Sequence, residues 1–264
     1  MIAGLFEPPA ALLAWFYSFT HNYIIAISMI ALVVMIITAP LVLKSTKGML
    51  EMQKLQPELR KLQQEHRGDR QKLNEEMMKL YQQHKVNPMA SCFPLLLQMP
   101  VFIIMYQVLT GLTRGDETGF KPEYVSQGSE LARSLIGDHE MLSWGLDLAK
   151  RPSEMISESF SKGLVYAMIV VALGALYYWQ QKMVAARAQV APNMSATQAK
   201  VMQYLPVVFA VFLVFYLTGL VIYYMAQAIF RIGLQYYITH RFYKGEHSLG
   251  RQAEAAGQRT REIA

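Results

Sequence analysis

The sequence predicts an all-α integral membrane protein with five transmembrane helices and a cytoplasmic helical hairpin. Hydrophobic residues make up 53% of the 264 residues, only 17% are charged, and the mean hydropathy is positive. This composition is typical of a protein whose main solvent is the bilayer, and it disfavours a soluble domain of the same length. The apolar residues also fall in long runs, and the basic residues collect between particular runs.

Four apolar runs are long enough to cross a hydrocarbon core, which takes roughly 17–25 helical residues. The last run, 201–238, has 38 residues, which is too many for one crossing and enough for two around a turn at Thr218–Gly219. The five predicted transmembrane segments are therefore 23–43, 89–112, 163–179, 201–217 and 220–238.

The charges between these segments predict their orientation, because Lys and Arg accumulate in cytoplasmic loops. Segment 44–88 has ten basic and six acidic residues, and segment 180–200 has three basic residues and no acidic one. Segment 113–162 has six basic and nine acidic residues, and segment 1–22 has one acidic residue and no basic one. We therefore expect the N-terminus outside, 113–162 as an extracytoplasmic loop, and a basic tail, 239–264, in the cytoplasm.

The N-terminal segment predicts a surface helix and not a secretory signal. The stretch MIAGLFEPPA lacks a basic start and contains an acidic residue and two prolines. The following ALLAWFYSF is aromatic and uncharged, which predicts a short helix at the outer membrane interface. The alternative is a plain extension of the first transmembrane helix. A second surface helix is expected in the outer loop, at SELARSLIGDHEML.

The cytoplasmic segment 44–88 shows helical periodicity on both sides of a Gly-Asp turn. Its apolar positions recur every three or four residues and are followed by a histidine in the same register: Met49, Met52, Leu55, Leu59, Leu62, then Leu73, Met77, Leu80 and His84. Two amphipathic helices that each have one apolar stripe should pair as an antiparallel hairpin. Pro57 is expected to bend the first helix. The alternative is a solvated spacer, which would not need periodic Met and Leu.

The sequence lacks the motifs that an intramembrane metalloprotease or a nucleotide-driven transporter would need. All six histidines fall outside the predicted transmembrane segments, and neither HExxH nor GxxxxGK[ST] is present. The single cysteine, Cys92, excludes a disulfide framework and a Cys-rich metal site. We therefore expect no enzymatic activity, no cofactor and no metal, and any transport would be passive or driven by a gradient.

The fifth predicted segment contains a polar stripe. Tyr224, Gln227, Arg231 and Gln235 follow one another at spacings of three, four and four, so they share one helix face. At 1.5 Å per residue, Arg231 lies about 16 Å along the helix from Leu220, near mid-bilayer or slightly toward the cytoplasm. A charge at that depth costs from about 3 to more than 10 kcal/mol. Two interpretations remain open: the side chain snorkels to the inner headgroups, or it lies in a wetted cavity.

The second predicted segment begins with an unusual stretch, VNPMASCFPLLLQMP. Asn87 is predicted to cap a helix whose first residue is Pro88, where the missing N–H is harmless. Pro94 and Pro100 then free backbone carbonyls within the segment and leave Gln98 between two kinks. Such groups are tolerated where they face protein or water and not lipid, so this segment is predicted to line a polar recess.

Four stretches together resemble a known family. LQPELRKLQ, NEEMMKLY, VNPMASCFPLLLQMPVFIIMY and YLPVVFAVFLVFYLTGLVIYY are similar, in order and spacing, to the shared core of the YidC membrane protein insertases. The resemblance runs from about residue 20 to about residue 245. It implies five transmembrane helices around a hydrophilic groove that is open to cytoplasm and lipid and closed outside, with 44–88 as the family's cytoplasmic helical hairpin. The chain is expected to be a short form that lacks the family's large extracytoplasmic domain.

One position departs from the family pattern. The family usually places an arginine in the first transmembrane segment, five residues before the proline that is Pro40 here, and this chain has Met35 at that position. We hypothesise that Arg231 supplies the positive charge of the groove from the fifth segment. Tyr223 and Tyr224 are equally compatible with packing roles. The residues expected at the groove are Met35, Gln98, Tyr106, Tyr224, Gln227 and Arg231.

The function implied by the resemblance is passive insertion of nascent transmembrane segments from the cytoplasm, with a chaperone-like role compatible with it. The expected location is the bacterial cytoplasmic membrane. The implied partners are nascent membrane proteins, the ribosome, the Sec translocon and lipid, with no specific nucleic acid sequence. The alternative is a small multi-span channel or transporter component. The sequence disfavours that alternative because it lacks inverted repeats with matched broken helices and contains the large cytoplasmic hairpin.

Overall fold

The computed structural model describes residues 3–66, 68–86, 93–185 and 196–243, and most of these residues are helical. The predicted helix cap at Asn87 and Pro88 and the single cysteine lie outside these ranges. The helices are α1 (Glu7–Thr20), α2 (Tyr23–Lys54), α3 (Gln56–Glu65), α4 (Arg70–Gln83), α5 (Phe93–Leu112), α6 (Glu130–Leu135), α7 (Pro152–Glu158), α8 (Phe160–Ala185), α9 (Ala196–Phe212) and α10 (Thr218–Tyr243).

Short strands and 3-10 turns complete the described structure. Strands β1 (Gly115–Asp116) and β2 (Gly119–Phe120) form one antiparallel pair, and β3 (Leu142–Ser143) and β4 (Leu146–Asp147) form another. The 3-10 turns are Ala3–Leu5 and Leu213–Phe215.

In the described part of the chain, two helices are long and apolar enough to cross a membrane. They are the Tyr23–Gly48 part of α2, with a mean hydropathy of 2.7, and the Phe160–Met183 part of α8, with a mean hydropathy of 1.7. Two shorter apolar helical stretches are Leu96–Leu112 and Tyr204–Phe215. Many apolar side chains of α2 and α8 point outward, as expected for helices that face lipid. The arrangement of five transmembrane segments stays a prediction.

The contacts divide the chain into two compact units. The first unit comprises Met1–Ile37, Gln98–Gln180 and Tyr204–Arg231. Its apolar core is built from α1, α2, α5, α6, α8, α9 and α10. The largest fully buried side chains of this core are Leu13, Ile27, Ile30, Met105, Leu109, Leu112, Leu131, Leu135, Tyr223 and Tyr224. The second unit comprises Thr38–Leu97, Gln181–Gln203 and Ile232–Ala264, and its described apolar cluster lies between α3 and α4.

Helix α1 is separate from α2. It ends because His21 adopts a left-handed conformation, with φ of 46°, and donates its N–H to the Tyr17 carbonyl at 2.9 Å. The Asn22 side chain then accepts the Ile25 N–H at 3.2 Å and so stabilises the first turn of α2. Trp15 remains exposed on the outer face of α1. The aromatic N-terminal stretch therefore forms its own helix and not an extension of α2.

The 113–162 segment packs on the first turns of α2 and α10. The Tyr23 hydroxyl donates to the Ser134 hydroxyl at 2.9 Å. The N–H and hydroxyl of Thr218 both donate to the Lys150 carbonyl, at 2.9 and 2.7 Å, and the Gly219 N–H donates to the Leu148 carbonyl at 3.0 Å. The two backbone bonds satisfy N–H groups that the start of α10 leaves without partners within the helix. The segment is therefore an ordered layer attached to the N-terminal ends of two helices.

Local charges stabilise the β1–β2 turn of this layer. Asp116 accepts hydrogen bonds from the Lys121 ammonium and from Thr118. The Lys121 bond, followed by those of Thr118, holds the pKa of the Asp116 carboxyl well below its usual range.

The surface helix expected in SELARSLIGDHEML is shorter than that stretch. Only Glu130–Leu135 forms a helix, and it buries Leu131 and Leu135.

Helices α3 and α4 pair through one apolar stripe. The buried side chains are Leu55, Leu59, Met77, Leu80 and Tyr81, with Leu62, Leu73 and Val86 packed against them. Glu58 near the start of α3 lies 3.5 Å from His84 just beyond α4, so the two helices are antiparallel. Helix α4 begins where the Asp69 carboxylate accepts the Lys72 N–H at 3.0 Å. Six of the eight Leu and Met residues of the predicted stripe have described side chains, and all six lie in this apolar cluster or pack against it.

Two local expectations differ from the structure. Pro57 does not bend a helix, because it lies in the first turn of α3, where a missing N–H costs nothing, and the break precedes it at Leu55. The expected turn at Thr218–Gly219 is also displaced. The chain turns at Tyr216–Leu217, and Thr218 is already the first residue of α10 because its N–H and hydroxyl bind the Lys150 carbonyl.

We predict that Leu59→Ala loosens the α3–α4 pair, because Leu59 is almost fully buried in a small cluster. Loss of its side chain should cost about 2 kcal/mol, which corresponds to about 30-fold faster amide exchange in both helices. Hydrogen exchange of the whole chain in lipid measures this effect. Lys61→Ala, on the exposed side of α3, is the matched control and should leave exchange unchanged. Equal exchange in the Leu59→Ala and native chains would contradict the prediction.

Candidate functional site

Helix α5 presents a polar residue followed by aromatic residues on one face. Gln98, Phe102 and Tyr106 are four residues apart, so their side chains lie above one another along the helix. Pro100 lies within the helix between the first two. All three side chains are partly buried. This face of α5 therefore has an amide at one end and phenyl rings along the rest.

Helix α10 places four polar side chains opposite this face. Tyr223 and Tyr224 are fully buried, Gln227 is 4% exposed, and Arg231 is half-buried. Tyr224, Gln227 and Arg231 follow at helical spacing, so they point in one direction. A helix with a mixed face of this kind is stable only where its polar groups find partners.

Gln98 provides those partners. Its side-chain nitrogen Nε2 donates to the Tyr224 hydroxyl at 3.3 Å and to Gln227 Oε1 at 3.4 Å. Its oxygen Oε1 accepts from the Arg231 guanidinium at 3.0 Å. Gln227 in turn donates through Nε2 to the Tyr223 hydroxyl at 3.4 Å. We call these five residues, Gln98, Tyr223, Tyr224, Gln227 and Arg231, the polar cluster.

Aromatic rings pack beside the polar cluster. Phe102 stacks on Tyr106 and on Tyr224, with ring centroids 6.1 and 6.3 Å apart, and meets Phe209 and Tyr216 edge to face at 5.9 and 5.5 Å. Tyr106 also meets Tyr216 edge to face at 5.4 Å. We call Phe102, Tyr106, Phe209 and Tyr216 the aromatic wall. Ring pairs of this geometry add to the energy of area burial, so the wall fixes α5 and α9 against α10.

Arg231 supplies the positive charge of the polar cluster. Among the residues that the structure describes, no Asp or Glu forms an ion pair with it. The guanidinium has five N–H donors in a planar fork, and one side-chain acceptor, Gln98, is described for it. A partly buried cation with neutral partners favours an anionic or strongly polar group, or water, in its remaining hydrogen-bonding directions.

The structure brings together four of the six residues expected at the groove: Gln98, Tyr224, Gln227 and Arg231. Tyr106 belongs to the aromatic wall and reaches Tyr224 through Phe102. Met35 is a buried side chain of α2, whereas the described bonds of the polar cluster come from α5 and α10. The role of these six residues in binding a substrate stays a prediction.

Sequence reasoning missed three supporting residues and left the role of a fourth, Tyr223, open. Tyr223 was expected to be packing or site with equal weight, and its hydroxyl accepts a hydrogen bond from Gln227. Phe102, Phe209 and Tyr216 were not singled out. The spacing of Phe102 between Gln98 and Tyr106 is a signal that points to it, whereas the contribution of α9 depends on tertiary packing.

The arrangement suits binding better than covalent chemistry. The cluster offers two amides, two phenols and one guanidinium. Within the described part of the chain, no group of three or more His, Cys, Asp or Glu residues is placed to hold a metal ion. Amides and a cation between apolar helices can hold water or the polar part of a ligand.

Comparison with known proteins shows which proteins this chain is similar to. A family model described as 60Kd inner membrane protein matches residues 15–245. The membrane protein insertase YidC of Geotalea daltonii is 32% identical over 237 residues, which are 90% of this chain and 37% of that protein. The YidC insertase of Geotalea uraniireducens is 35% identical over 238 residues, covering 90% of this chain and 38% of that protein. This chain thus spans less than two fifths of the length of these relatives.

A solved structure shares the fold. It is described as an active YidC insertase with the first transmembrane domain resolved. The TM-score is 0.56 and the identity is 24%, over 89% of this chain and 46% of that one.

We predict that Tyr224→Phe and Tyr224→Ala differ strongly in stability. The phenylalanine keeps the ring packed on Phe102 and Phe209 and loses only the bond from Gln98, at a cost of about 1 kcal/mol. The alanine leaves a cavity at a fully buried position and should cost about 3–5 kcal/mol. Thermal unfolding in detergent ranks the variants. Equal melting temperatures for the two variants would mean that the hydroxyl, and not the ring, dominates the stability of this site.

Proposed function

Because this chain belongs to the 60Kd inner membrane protein family, and its relatives include YidC membrane protein insertases, we propose that it inserts nascent transmembrane segments into the bilayer. Insertion would be passive and would start from the cytoplasm. The observation that supports this function is the polar cluster, a group of hydrogen-bonded amides, phenols and one cation between apolar helices.

The proposed topology has five transmembrane helices at 23–43, 89–112, 163–179, 201–217 and 220–238. The N-terminus and 113–162 lie outside, and 44–88, 180–200 and the tail 239–264 lie in the cytoplasm. The alternation of basic and acidic segments supports this orientation. The paired α3 and α4 then form a cytoplasmic hairpin, whose exposed face is rich in charged residues and is available to a ribosome or the Sec translocon.

The polar cluster would form the floor of a hydrated groove that is open to the cytoplasm and to lipid. The 3.0 Å bond to Gln98 directs the Arg231 guanidinium toward α5, which favours a wetted cavity over snorkelling along its own helix. Since Met35 leaves the usual site of the family's groove arginine uncharged, Arg231 is the proposed groove cation. Gln98, Tyr106, Tyr224 and Gln227 would line the same recess.

In the proposed mechanism, the polar tail of a substrate enters the groove while its apolar part moves into lipid. The hydrated recess shortens the apolar distance that the tail must cross, so the desolvation cost of the tail falls. Burial of the substrate in lipid contributes about 25 cal/mol per Å² of apolar surface. The membrane potential contributes about 2.3 kcal/mol per charge per 100 mV. No nucleotide or metal is required by this scheme.

We predict that this chain rescues a bacterium depleted of its own insertase and that Arg231→Ala loses most of the rescue. Loss of one groove contact of about 1.4 kcal/mol would lower the insertion rate about tenfold. Insertion of a small single-span protein measures the effect. Arg231→Lys keeps the charge without the planar fork and should retain part of the activity.

A second variant completes the design. Met35→Arg combined with Arg231→Ala restores a cation from the other side of the proposed groove and should recover insertion. Full activity of Arg231→Ala would contradict the role of this residue, and failure of the native chain would contradict the proposed function.

A further inference from the structure

The β3–β4 hairpin ends in a conspicuous turn. Leu142 pairs with Asp147 and Ser143 pairs with Leu146, so Trp144 and Gly145 form a two-residue turn. Their φ angles are +51° and +78°. A turn with two positive φ angles matches the twist of a hairpin and is usually made by Asn-Gly or Gly-Gly. Here its first position is a tryptophan whose side chain is 72% exposed.

Nothing in the described fold explains tryptophan at this position. The left-handed conformation is unfavourable for a bulky residue, and asparagine or glycine would adopt it at lower cost. Exposed indole is also unfavourable in water, because it leaves apolar area unburied. Leu142, in strand β3 two residues before Trp144, is 54% exposed. The end of the hairpin therefore exposes two large apolar side chains, Leu142 and Trp144, where polar residues would be more favourable in water.

The base of the hairpin is held firmly. The Asp147 carboxylate oxygen Oδ1 accepts the N–H groups of Met141 and Ala149, both at 3.0 Å. The Asp147 N–H donates to the Tyr166 hydroxyl of α8 at 2.8 Å. The Ser143 hydroxyl donates to Asn22 Oδ1 at 2.9 Å. Trp144 therefore lies at the end of a hairpin whose strands are hydrogen-bonded to α8 and to the residue before α2.

These contacts also fix the depth of the tip along the helices. Asn22 directly precedes α2 and binds its first turn, and the first 26 residues of α2 form a candidate membrane span. The residues after β4 bind the first turn of α10 through Leu148 and Lys150. The tip is therefore level with the N-terminal ends of α2 and α10, where the membrane of the proposed topology would give way to water. Tryptophan is enriched at that level because its ring is apolar and its N–H can donate to headgroups.

We propose that Leu142 and Trp144 insert into the outer headgroup region of the lipid bilayer and anchor the 113–162 segment to the membrane surface. This proposal rests on the membrane orientation given under the proposed function. The stretch from Met141 to Leu146 is uncharged. Docking is therefore apolar and independent of anionic lipid, which distinguishes it from electrostatic attachment.

The test uses the whole chain with one tryptophan left, reconstituted in phosphatidylcholine vesicles. Trp15→Phe with Trp179→Phe leaves Trp144, and all three tryptophans are exposed, so these changes leave the core intact. We expect lipid brominated near the headgroup to quench Trp144 at least twofold more than lipid brominated near the chain end. Aqueous iodide should quench it weakly, and added phosphatidylglycerol should change neither result.

The control chain carries Trp15→Phe with Trp144→Phe and leaves Trp179, which is 65% exposed on the candidate span of α8. Bromolipid quenching of Trp179 with strong iodide quenching of Trp144 would overturn the anchor and leave the proposed function intact. Absence of bromolipid quenching for both residues would contradict the membrane topology itself. Quenching of Trp144 that appears only with phosphatidylglycerol would also overturn the proposal, because docking would then be electrostatic.

Discussion

The structure of the first unit depends on one constraint: polar groups buried between apolar helices must find partners within the protein. Gln98 meets this constraint for α10, since its amide serves Tyr224, Gln227 and Arg231 at once. An amide suits this position because it both donates and accepts, so it bonds to a phenol, another amide and a guanidinium. An apolar residue at 98 would leave those groups without this partner, at a cost of about 1–3 kcal/mol for each unsatisfied group.

Contacts outside the polar cluster also hold α10 in place within the first unit. The first turn of α10 is attached to the carbonyls of Leu148 and Lys150, and the aromatic wall packs beside Tyr224 farther along. Two levels of α10 that precede Arg231 are therefore held in place, and they set the position of Arg231 along the helix. This rigidity matters for the proposed insertase, because a groove cation is useful only if it stays at a fixed depth and does not collapse against a carboxylate.

Periodicity within one helix made much of the arrangement predictable from sequence. The spacing of Tyr224, Gln227 and Arg231 indicated a polar face, and Gln98 among prolines indicated its counterpart in another helix. The stripe from Leu55 to Leu80 likewise anticipated the contact between α3 and α4. Contacts that join distant segments were not predictable, such as Thr218 with Lys150 and Phe102 with Phe209. Pro57 was misjudged because its effect depends on whether a helix begins before or after it.

The most direct test of the account is water access to the polar cluster from each side of the membrane. In a chain with Cys92→Ser, Gln98→Cys would be treated with a membrane-impermeant maleimide in vesicles of known orientation. The exposed Gln127→Cys reports the outer side, and the buried Leu109→Cys reports closed packing. The account predicts that Gln98→Cys reacts from the cytoplasmic side alone. Reaction from the outer side, or the same lack of reaction as Leu109→Cys, would contradict a hydrated groove open to the cytoplasm.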